Sequence, residues 1–559
     1  MKVSDTSDLW WKSAVIYCLD VESFMDGDGN GIGDLGGLAT RIDYLAELGV
    51  TCLWLMPFYP SPDRDDGYDI TDFYGVDHRL GHLGDVVEVI RIARDRGIRV
   101  IVDLVVNHTS DKHPWFKAAR SSRDSPYRDF YVWRDEPPAH QPAPVFPDQE
   151  TSDWQWDEKA GQYYQHVFYR QQPDLNITDE RVRDEIVKVI GFWLELGVSG
   201  FRIDAVPFLL QTDGVIDGAR KLPDPHAYLR SLRAFLGRRT GDGIFLGEVN
   251  LSRERQNEFF DGAEGDELTM QFDFIAMQNL YLSLARGDAR PLAEALLSRP
   301  EGSPDIQWAN FVRNHDELTL DKLTDDERQE VFAAFGPEER MQVYGRGLIR
   351  RLPPMLDGDP RRIRMVYSLL FSLPGTPVLF YGEEIGMGEN LDAGGRMSVR
   401  TPMQWTAGRN GGFSTARPSR LRTPMTEGAF GPEHVNVADQ RHDPDSLLQF
   451  MTGLIRHYRN ARELGWGAFE VIEQPDSAVF AHTLTAGRHR TVAVHNFSPD
   501  ARTVRLPVGL PDAALAAEPV GEHGIRLVDH FTGVTVPVER GAAEVPLDGY
   551  GYRWFRVEG

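Results

Sequence analysis

Two cysteines, Cys18 and Cys52, are all that 559 residues contain, and each lies in a short apolar run, AVIYCLDV or VTCLWLMP, that reads as a core strand. A disulfide scaffold is excluded, and buried free thiols are expected instead. Long hydrophobic runs are missing as well. The opening residues MKVSDTSDLWWKSAVIYCLD lack a basic start followed by a long apolar stretch and a small-residue cleavage site. Neither a membrane span nor a secretory leader is expected, and the chain reads as cytoplasmic. Basic residues are scarce: 60 Lys and Arg against 85 Asp and Glu leave a formal charge of −25. That charge opposes nucleic acid and anionic membranes as partners and favours neutral substrates. Internal repeats and low-complexity tracts are also absent.

What is present, from residue 14 on, is an alternation of short apolar runs with stretches of helical spacing: AVIYCLDV, LATRIDYLAELG, VTCLWLMP, DVVEVIRIARDRG, IRVIVDLVV. Alternation of this kind predicts a parallel sheet, closed as a (β/α)8 barrel when the units continue this far. The first part of the barrel is read over residues 1–107. A stretch rich in Asp, Pro, Trp and Tyr follows at 108–174, too long for a simple βα loop, and reads as an inserted subdomain projecting over the catalytic face. The barrel resumes over 175–465, with irregular insertions near 318–358 and 386–440 and a closing helix at 446–465. Beyond it, 466–559 carries short strands and turn residues (VFAHTLTAG, RTVAVHNFS, ARTVRLPV, GYRWFRVEG), predicting a C-terminal antiparallel β-sandwich.

Four apolar runs end in charged or imidazole residues: DLVVNH (103–108), GFRIDAV (200–206), FLGEVN (245–250) and FVRNHDE (311–317). A buried strand that stops at such a cluster places it on the rim of a parallel sheet, where these folds keep their chemistry. Acids on three different strand ends can converge on one atom, as glycoside chemistry requires: one carboxylate attacks the sugar carbon while an acid of raised pKa protonates the leaving oxygen. Asp204, two residues after Arg202 on the same strand face, suits the ionised nucleophile, and Glu248, after an apolar run, suits the proton carrier. A single acid at a strand end is more often a cap or an ion pair; four such segments argue for an enzyme. DGDGNGIGD places Asp26, Asp28, Asn30 and Asp34 among glycines, a pattern that lets oxygen ligands wrap a hard cation, but Gly37 at position twelve excludes an EF-hand. Trp115, Phe116, Tyr131 and Trp133 read as the core of the inserted subdomain in preference to a sugar-stacking platform. His113 and His166 read as structural or solvent-exposed.

Together with GYDI (67–70) and QPDLN (172–176), the four segments resemble in content and order the motifs of the α-amylase family, glycoside hydrolase family 13. Within it, RDDGYDI, NHTSDKHPWF, FYVWRD, RNHDELTL, LFSLPGTPVLFYGEEIGMG and VRTPMQW resemble the enzymes that isomerise maltose to trehalose, over most of the first 440 residues. The resemblance implies Asp204 as nucleophile, Glu248 as general acid/base and Asp316 as the carboxylate that binds and distorts the sugar. It implies a glucose subsite of Tyr68, Asp69, His108, Arg202, His315 and Arg400, with maltose or another neutral α-glucoside as substrate. It further implies calcium at the first loop, with the Ile32 carbonyl as an added ligand, and a second calcium at Asn107, Asp174 and the segment after Asp204. No organic cofactor is expected. Here Phe208 and Gln211 stand where those enzymes usually carry Tyr and Glu, which weakens the second site. FLGEVN, NLDAGGRMSVR and YCLDVESFMDGDG depart from the group's usual pattern near the acceptor side. A hydrolytic α-glucosidase, or a transglucosidase with another donor or acceptor, is therefore the alternative. A non-catalytic sugar-binding barrel is disfavoured because all three acids remain. Oligomeric state, homo-oligomers included, is left open.

Overall fold

Strict chain order governs the barrel: β1 (Ile16–Leu19), β2 (Cys52–Leu55), β3 (Arg99–Leu104), β4 (Gly200–Ile203), β5 (Ile244–Gly247), β6 (Met270–Phe272), β7 (Gln307–Asn310) and β8 (Thr376–Phe380). Each strand pairs in parallel with the next, and β8 closes on β1 through Ile16 opposite Val378. This computed structural model describes residues 9–139, 141–210, 224–260, 265–300, 302–508 and 524–559. In β1, β2, β4, β5 and β8 every residue is buried. These strands are covered on both faces, inside by one another and outside by helices, which is why they read as continuous apolar runs. The (β/α)8 barrel and the C-terminal antiparallel domain expected from the sequence are both present, and Cys18 and Cys52 are buried free thiols.

The surrounding helices follow from local signals. Glu180–Leu196 starts where Asp179 accepts the Arg181 N–H and ends at Gly197, whose φ of 106° few other residues could adopt. Between those caps Val182, Ile186, Val189, Ile190 and Trp193 recur at helical spacing and are buried. Each such side chain contributes about 1.5–3 kcal/mol on burial. Trp193 also donates Nε1–H to the Phe73 carbonyl at 2.9 Å, fastening the helix to the loop after β2.

Three insertions stand on the C-terminal rim of the barrel. After β3 the chain forms the helix Pro114–Ala119 and a small antiparallel sheet of Trp133–Arg134, Gln162–Gln165 and Trp154–Asp157. Bridges from His108 to Asp174 and from Tyr131 to Leu175 close its neck. Its centre is aromatic: Phe116 packs on Tyr131, Trp133 and Tyr164 with ring centroids 5.0–5.6 Å apart, and Trp115 packs on Phe130. After β7 come the helix Asp325–Phe335 and a three-stranded sheet. After β8, residues 386–440 run mainly as short 3₁₀ turns. At the C-terminus, a six-stranded sheet and a two-stranded antiparallel sheet of Arg502–Pro507 with Ala542–Leu547 pack on a separate core of Val494, Leu506, Leu527, Val545 and Phe555. Trp554 ties this domain to the barrel, its Nε1–H meeting Ser368 Oγ at 3.0 Å. Among the described residues, no helix is long and apolar enough to cross a membrane.

Candidate active site

Register sets the floor of the site. Asp103 on β3 lies directly opposite Arg202 on β4, so the two side chains meet where those strands end. Arg202 Nη1 binds Asp103 Oδ1 and Asp204 Oδ1, and Nη2 binds Glu248 Oε2, all at 2.6 Å. Trp54 Nε1–H, 2.8 Å from Asp103 Oδ2, takes that acid's other oxygen. Side-chain exposure separates the roles: Arg202 and Asp103 are at 1% and 0%, whereas Asp204, Glu248 and Asp316 keep 11%, 25% and 17%. The first two are the support; the last three are the working face. Ala205, immediately after Asp204, has a left-handed φ of 47° and donates its N–H to Glu248 Oε2 at 3.2 Å. That conformation is costly for alanine and turns the chain so that both acids face one space.

Asp316 is held from the other side. His315 Nε2 lies 3.1 Å from its Oδ2, and Arg396 Nη1 and Arg400 Nη2 reach its Oδ1 at 2.6 and 3.0 Å. Arg400 also donates Nε–H to the His315 carbonyl at 2.8 Å and binds Asp66 at 2.5 Å. Tyr68 stacks on His315, with Oη 2.7 Å from Nε2. His108 Nε2 faces the Tyr68 carbonyl at 3.2 Å.

These surroundings divide the acids. Burial raises the Glu248 carboxyl to about 7, against the pull of Arg202 and with help from Asp204 and Asp316. Burial raises Asp204 to about 6, again opposed by Arg202. Asp316 goes the other way: against the cost of burial, His315 and the guanidiniums of Arg396 and Arg400 hold it well below the usual carboxylate range. Burial lowers His108 to about 4, so that imidazole is neutral near pH 7, and burial also lowers His315, against the pull of Asp316. The site therefore offers an ionised binder, an acid that ionises first and an acid that keeps its proton longest.

A cavity of about 490 Å³ opens above these groups, large enough for a small sugar. Tyr68, His108, Asp204, Glu248 and Asp316 line it, whereas Arg202, His315 and Arg400 form the layer behind. Asp69 belongs to neither group. It is fully buried and points to Ser61 Oγ at 2.8 Å and Arg64 Nε at 3.2 Å. Its neighbour in the same motif, Asp65, takes the cavity position and binds Arg396 Nη2 at 2.7 Å. Asp65 and Arg396 were not anticipated, because RDDGYDI offers three acids and an irregular loop has no period to say which one faces inward. The apolar lining comes from Phe146, Phe168, Phe208 and Phe274. The aromatic residues singled out in the sequence pack inside the inserted subdomain and at its neck instead. All three insertions meet here: Tyr344 packs on Phe146 at 4.9 Å and donates its N–H to Asp148, while Arg396 lies over the Phe146 ring at 5.2 Å.

In the first candidate metal loop, carboxylate oxygens of Asp26, Asp28 and Asp34 lie within 4.8 Å of one another. Asn30 Oδ1 accepts the Ile32 N–H at 2.8 Å and Asp26 accepts those of Gly29 and Gly31, so the loop is already wound. A side chain at Gly33 would collide with the Val21 carbonyl, which keeps the winding tight. At the second, Asp174 receives Asn107 Nδ2–H at 3.2 Å and the Val167 N–H at 3.0 Å beside a cavity of only about 30 Å³. Phe208 and Leu209 line that cavity, and Gln211 lies outside the described residues.

Known proteins resemble the chain over most of its length. The sequence profile of the α-amylase catalytic domain matches residues 17–335 and 350–467, and that of the sucrose hydrolase-like C-terminal domain matches 489–556. A trehalose synthase of Pimelobacter sp. (strain R48) is 39% identical over 565 residues, covering 98% of this chain and 96% of the relative. Trehalose synthase/amylase TreS of Mycobacterium tuberculosis (strain ATCC 25618 / H37Rv) is 42% identical over 477 residues, 85% of this chain and 79% of the relative. A mutant of the trehalulose synthase MutB in complex with Tris superposes with a TM-score of 0.77 at 27% identity, over 98% of this chain and all of that one.

Proposed function

The chain belongs to the α-amylase family of glycoside hydrolases, and from that premise we propose that it isomerises maltose to trehalose by a double displacement on Asp204. The observation that carries the reading is the Arg202 fork, which holds Asp204 and Glu248 on its two nitrogens at 2.6 Å under a cavity roofed by three insertions. Carboxyls gripped by one guanidinium favour the short spacing of retaining enzymes, about 5–5.5 Å, over the ~6.5–9.5 Å of inverting ones.

In the first step an Asp204 oxygen attacks the anomeric carbon of the non-reducing glucose. The bond to the leaving oxygen breaks, and that oxygen takes the Glu248 proton, releasing glucose and leaving a covalent glucosyl ester on Asp204. Asp316, kept ionised, binds the hydroxyls of the held glucose and steadies positive charge at its ring oxygen. In the second step the freed glucose, turned within the cavity, loses the proton of its anomeric hydroxyl to Glu248. Its oxygen attacks the same carbon and displaces Asp204. Two inversions restore the α configuration at the transferred carbon, and an α-glucose in the acceptor position gives trehalose. Water in place of that glucose gives hydrolysis, so exclusion of bulk water by Phe146, Arg396 and Tyr344 decides the product.

We also assign a structural calcium ion to Asp26, Asp28, Asn30, Asp34 and the Ile32 carbonyl, an all-oxygen donor set that suits a hard cation. The assignment does not extend to Asn107 and Asp174. There one carboxylate is the only acid among the described lining residues, and an amide N–H and a backbone N–H already face it. A cytoplasmic setting fits the two buried free thiols.

The test is a time course with maltose, resolving trehalose, glucose and residual maltose, with Asp204→Ala as control. Trehalose as main product, abolished in the variant, supports the proposal. Glucose alone would assign the same acids to a hydrolase, and full activity in the variant would overturn it.

A further inference from the structure

On the barrel rim beside the site, carboxylate oxygens of Glu22, Asp63 and Asp66 come within 4.8 Å of one another, as metal ligands would. The space is taken by arginine instead. Arg79 binds Glu22 at 2.8 Å and Asp63 at 2.6 Å. Arg422, from the 386–440 insertion, pairs its Nε with Glu22 at 2.5 Å, straddles both oxygens of Asp63 and reaches Asp66 at 3.2 Å. The two guanidiniums occupy the space between the three carboxylates that a cation would need. Glu22 and its neighbour Asp20 come from the YCLDVESF segment that ends β1.

The cluster leads into the site in two steps. Asp66, the acid that Arg422 touches, is also the partner of Arg400 Nη1 at 2.5 Å, and Arg400 Nη2 is 3.0 Å from Asp316. Asp63 and Asp66 both have left-handed φ angles, 62° and 49°, in the loop that also carries Asp65 and Tyr68 into the cavity. Aspartate tolerates that conformation but does not prefer it, so partners outside the loop must hold it.

We propose that Glu22 and Arg422 form a clasp that fastens the third insertion to the barrel and, through Asp66 and Arg400, fixes Asp316, making Arg422 a positioning residue for glucosyl transfer. With the clasp intact, Arg400 is shared between Asp66 and Asp316. Without Arg422, Asp66 keeps only Arg400 and draws it away from the sugar-binding acid, while the 61–70 loop and the insertion above it lose their common anchor. Asp204, Glu248 and Arg202 stand on other strands and keep their geometry. Because Asp316 serves the held glucose in both steps, the expected defect falls on glucosyl-ester formation as well as on holding the glucose acceptor under the loosened insertion.

This inference rests on the isomerase reading, and the experiment separates the two. Arg422→Gln, Arg422→Lys and Glu22→Gln are compared with the unmodified enzyme on maltose and on an aryl α-glucoside whose leaving group needs no proton, with melting curves for each. For Arg422→Gln the expected result is a KM for maltose raised about tenfold, a trehalose-to-glucose ratio lowered several-fold and aryl release lowered several-fold, with the melting temperature kept. Arg422→Lys should recover part of the ratio, and Glu22→Gln should show the same defect more weakly. An unchanged ratio and KM in folded Arg422→Gln would overturn the clasp, and so would a parallel loss of maltose and aryl turnover at an unchanged product ratio with a lowered melting temperature. Absence of trehalose from the unmodified enzyme would instead overturn the isomerase reading.

Discussion

The floor and the roof of the cavity are built from different material. On the floor, Asp103, Arg202, Asp204 and Glu248 sit at the ends of adjacent parallel strands, and their contacts are fixed by register, as Asp103 opposite Arg202 illustrates. In the roof, Phe146, Tyr344 and Arg396 come from three separate insertions without a shared sheet, and they meet through ring packing and a cation over a ring. A strand end places a carboxylate to a fraction of an ångström, which bond-making requires. An irregular loop places a surface, which is enough to keep water out. The family resemblance rests mostly on the floor, and the fate of the glucosyl group rests on the roof.

That division can be broken most sharply at the floor. Asp204→Asn should lose at least about 10⁴-fold in kcat/KM on every α-glucoside, with a circular dichroism spectrum unchanged. Glu248→Gln should lose about 10²–10⁴-fold on maltose yet keep most of its first-step rate on an activated aryl glucoside, seen as a burst followed by slow turnover. Stopped-flow traces without that burst would remove Glu248 from the acid role.

The next effect is on pH. Asp204, raised to about 6, must be ionised to attack, and Glu248, raised to about 7, must be protonated to donate. Activity should fall below about 6 as Asp204 takes up a proton and above about 7 as Glu248 loses one, giving a narrow bell in kcat/KM. Glu248→Gln should lose the alkaline limb. A profile flat from pH 5 to 9 would contradict the assignment.

Changes to the roof should be smaller and of another kind. Phe146→Ala should raise the glucose share of the products several-fold while aryl glucoside turnover barely moves, which chromatography of the products would reveal. Smallest is the effect at the 26–34 loop, to which calcium is assigned as a proposal and which lies away from the cavity lining. Chelation should lower the melting temperature by a few degrees, with restoration by added calcium and no change in product ratio at 25 °C. An unchanged melting curve would leave the loop without an ion.

How far the sequence could be read follows the same division. Strands such as CLWL and IFLG announce themselves because burial on both faces leaves no polar interruption, and the acids that end such runs are conspicuous. The helix before β4 starts and stops at local signals, Asp179 and Gly197. Asp69 shows the limit: one motif carries Asp65, Asp66 and Asp69, and only the fold reveals that Asp65 faces the cavity, Asp66 serves Arg400 and Asp69 serves Arg64. Arg396 and Phe146 were illegible for the same reason. Their partners are 80 and more residues away in stretches without period, and the contact exists only once three insertions have folded together.

The central claim is that the cavity retains the glucose it releases, and added isotope tests it most directly. The enzyme is incubated with unlabelled maltose and an excess of uniformly ¹³C-labelled glucose, and the trehalose formed is weighed by mass spectrometry. An enclosed site predicts trehalose that is almost wholly unlabelled at early times. Trehalose with one labelled ring in proportion to the added glucose would mean that the acceptor leaves and returns through solvent, and the roof would not be the closure described here.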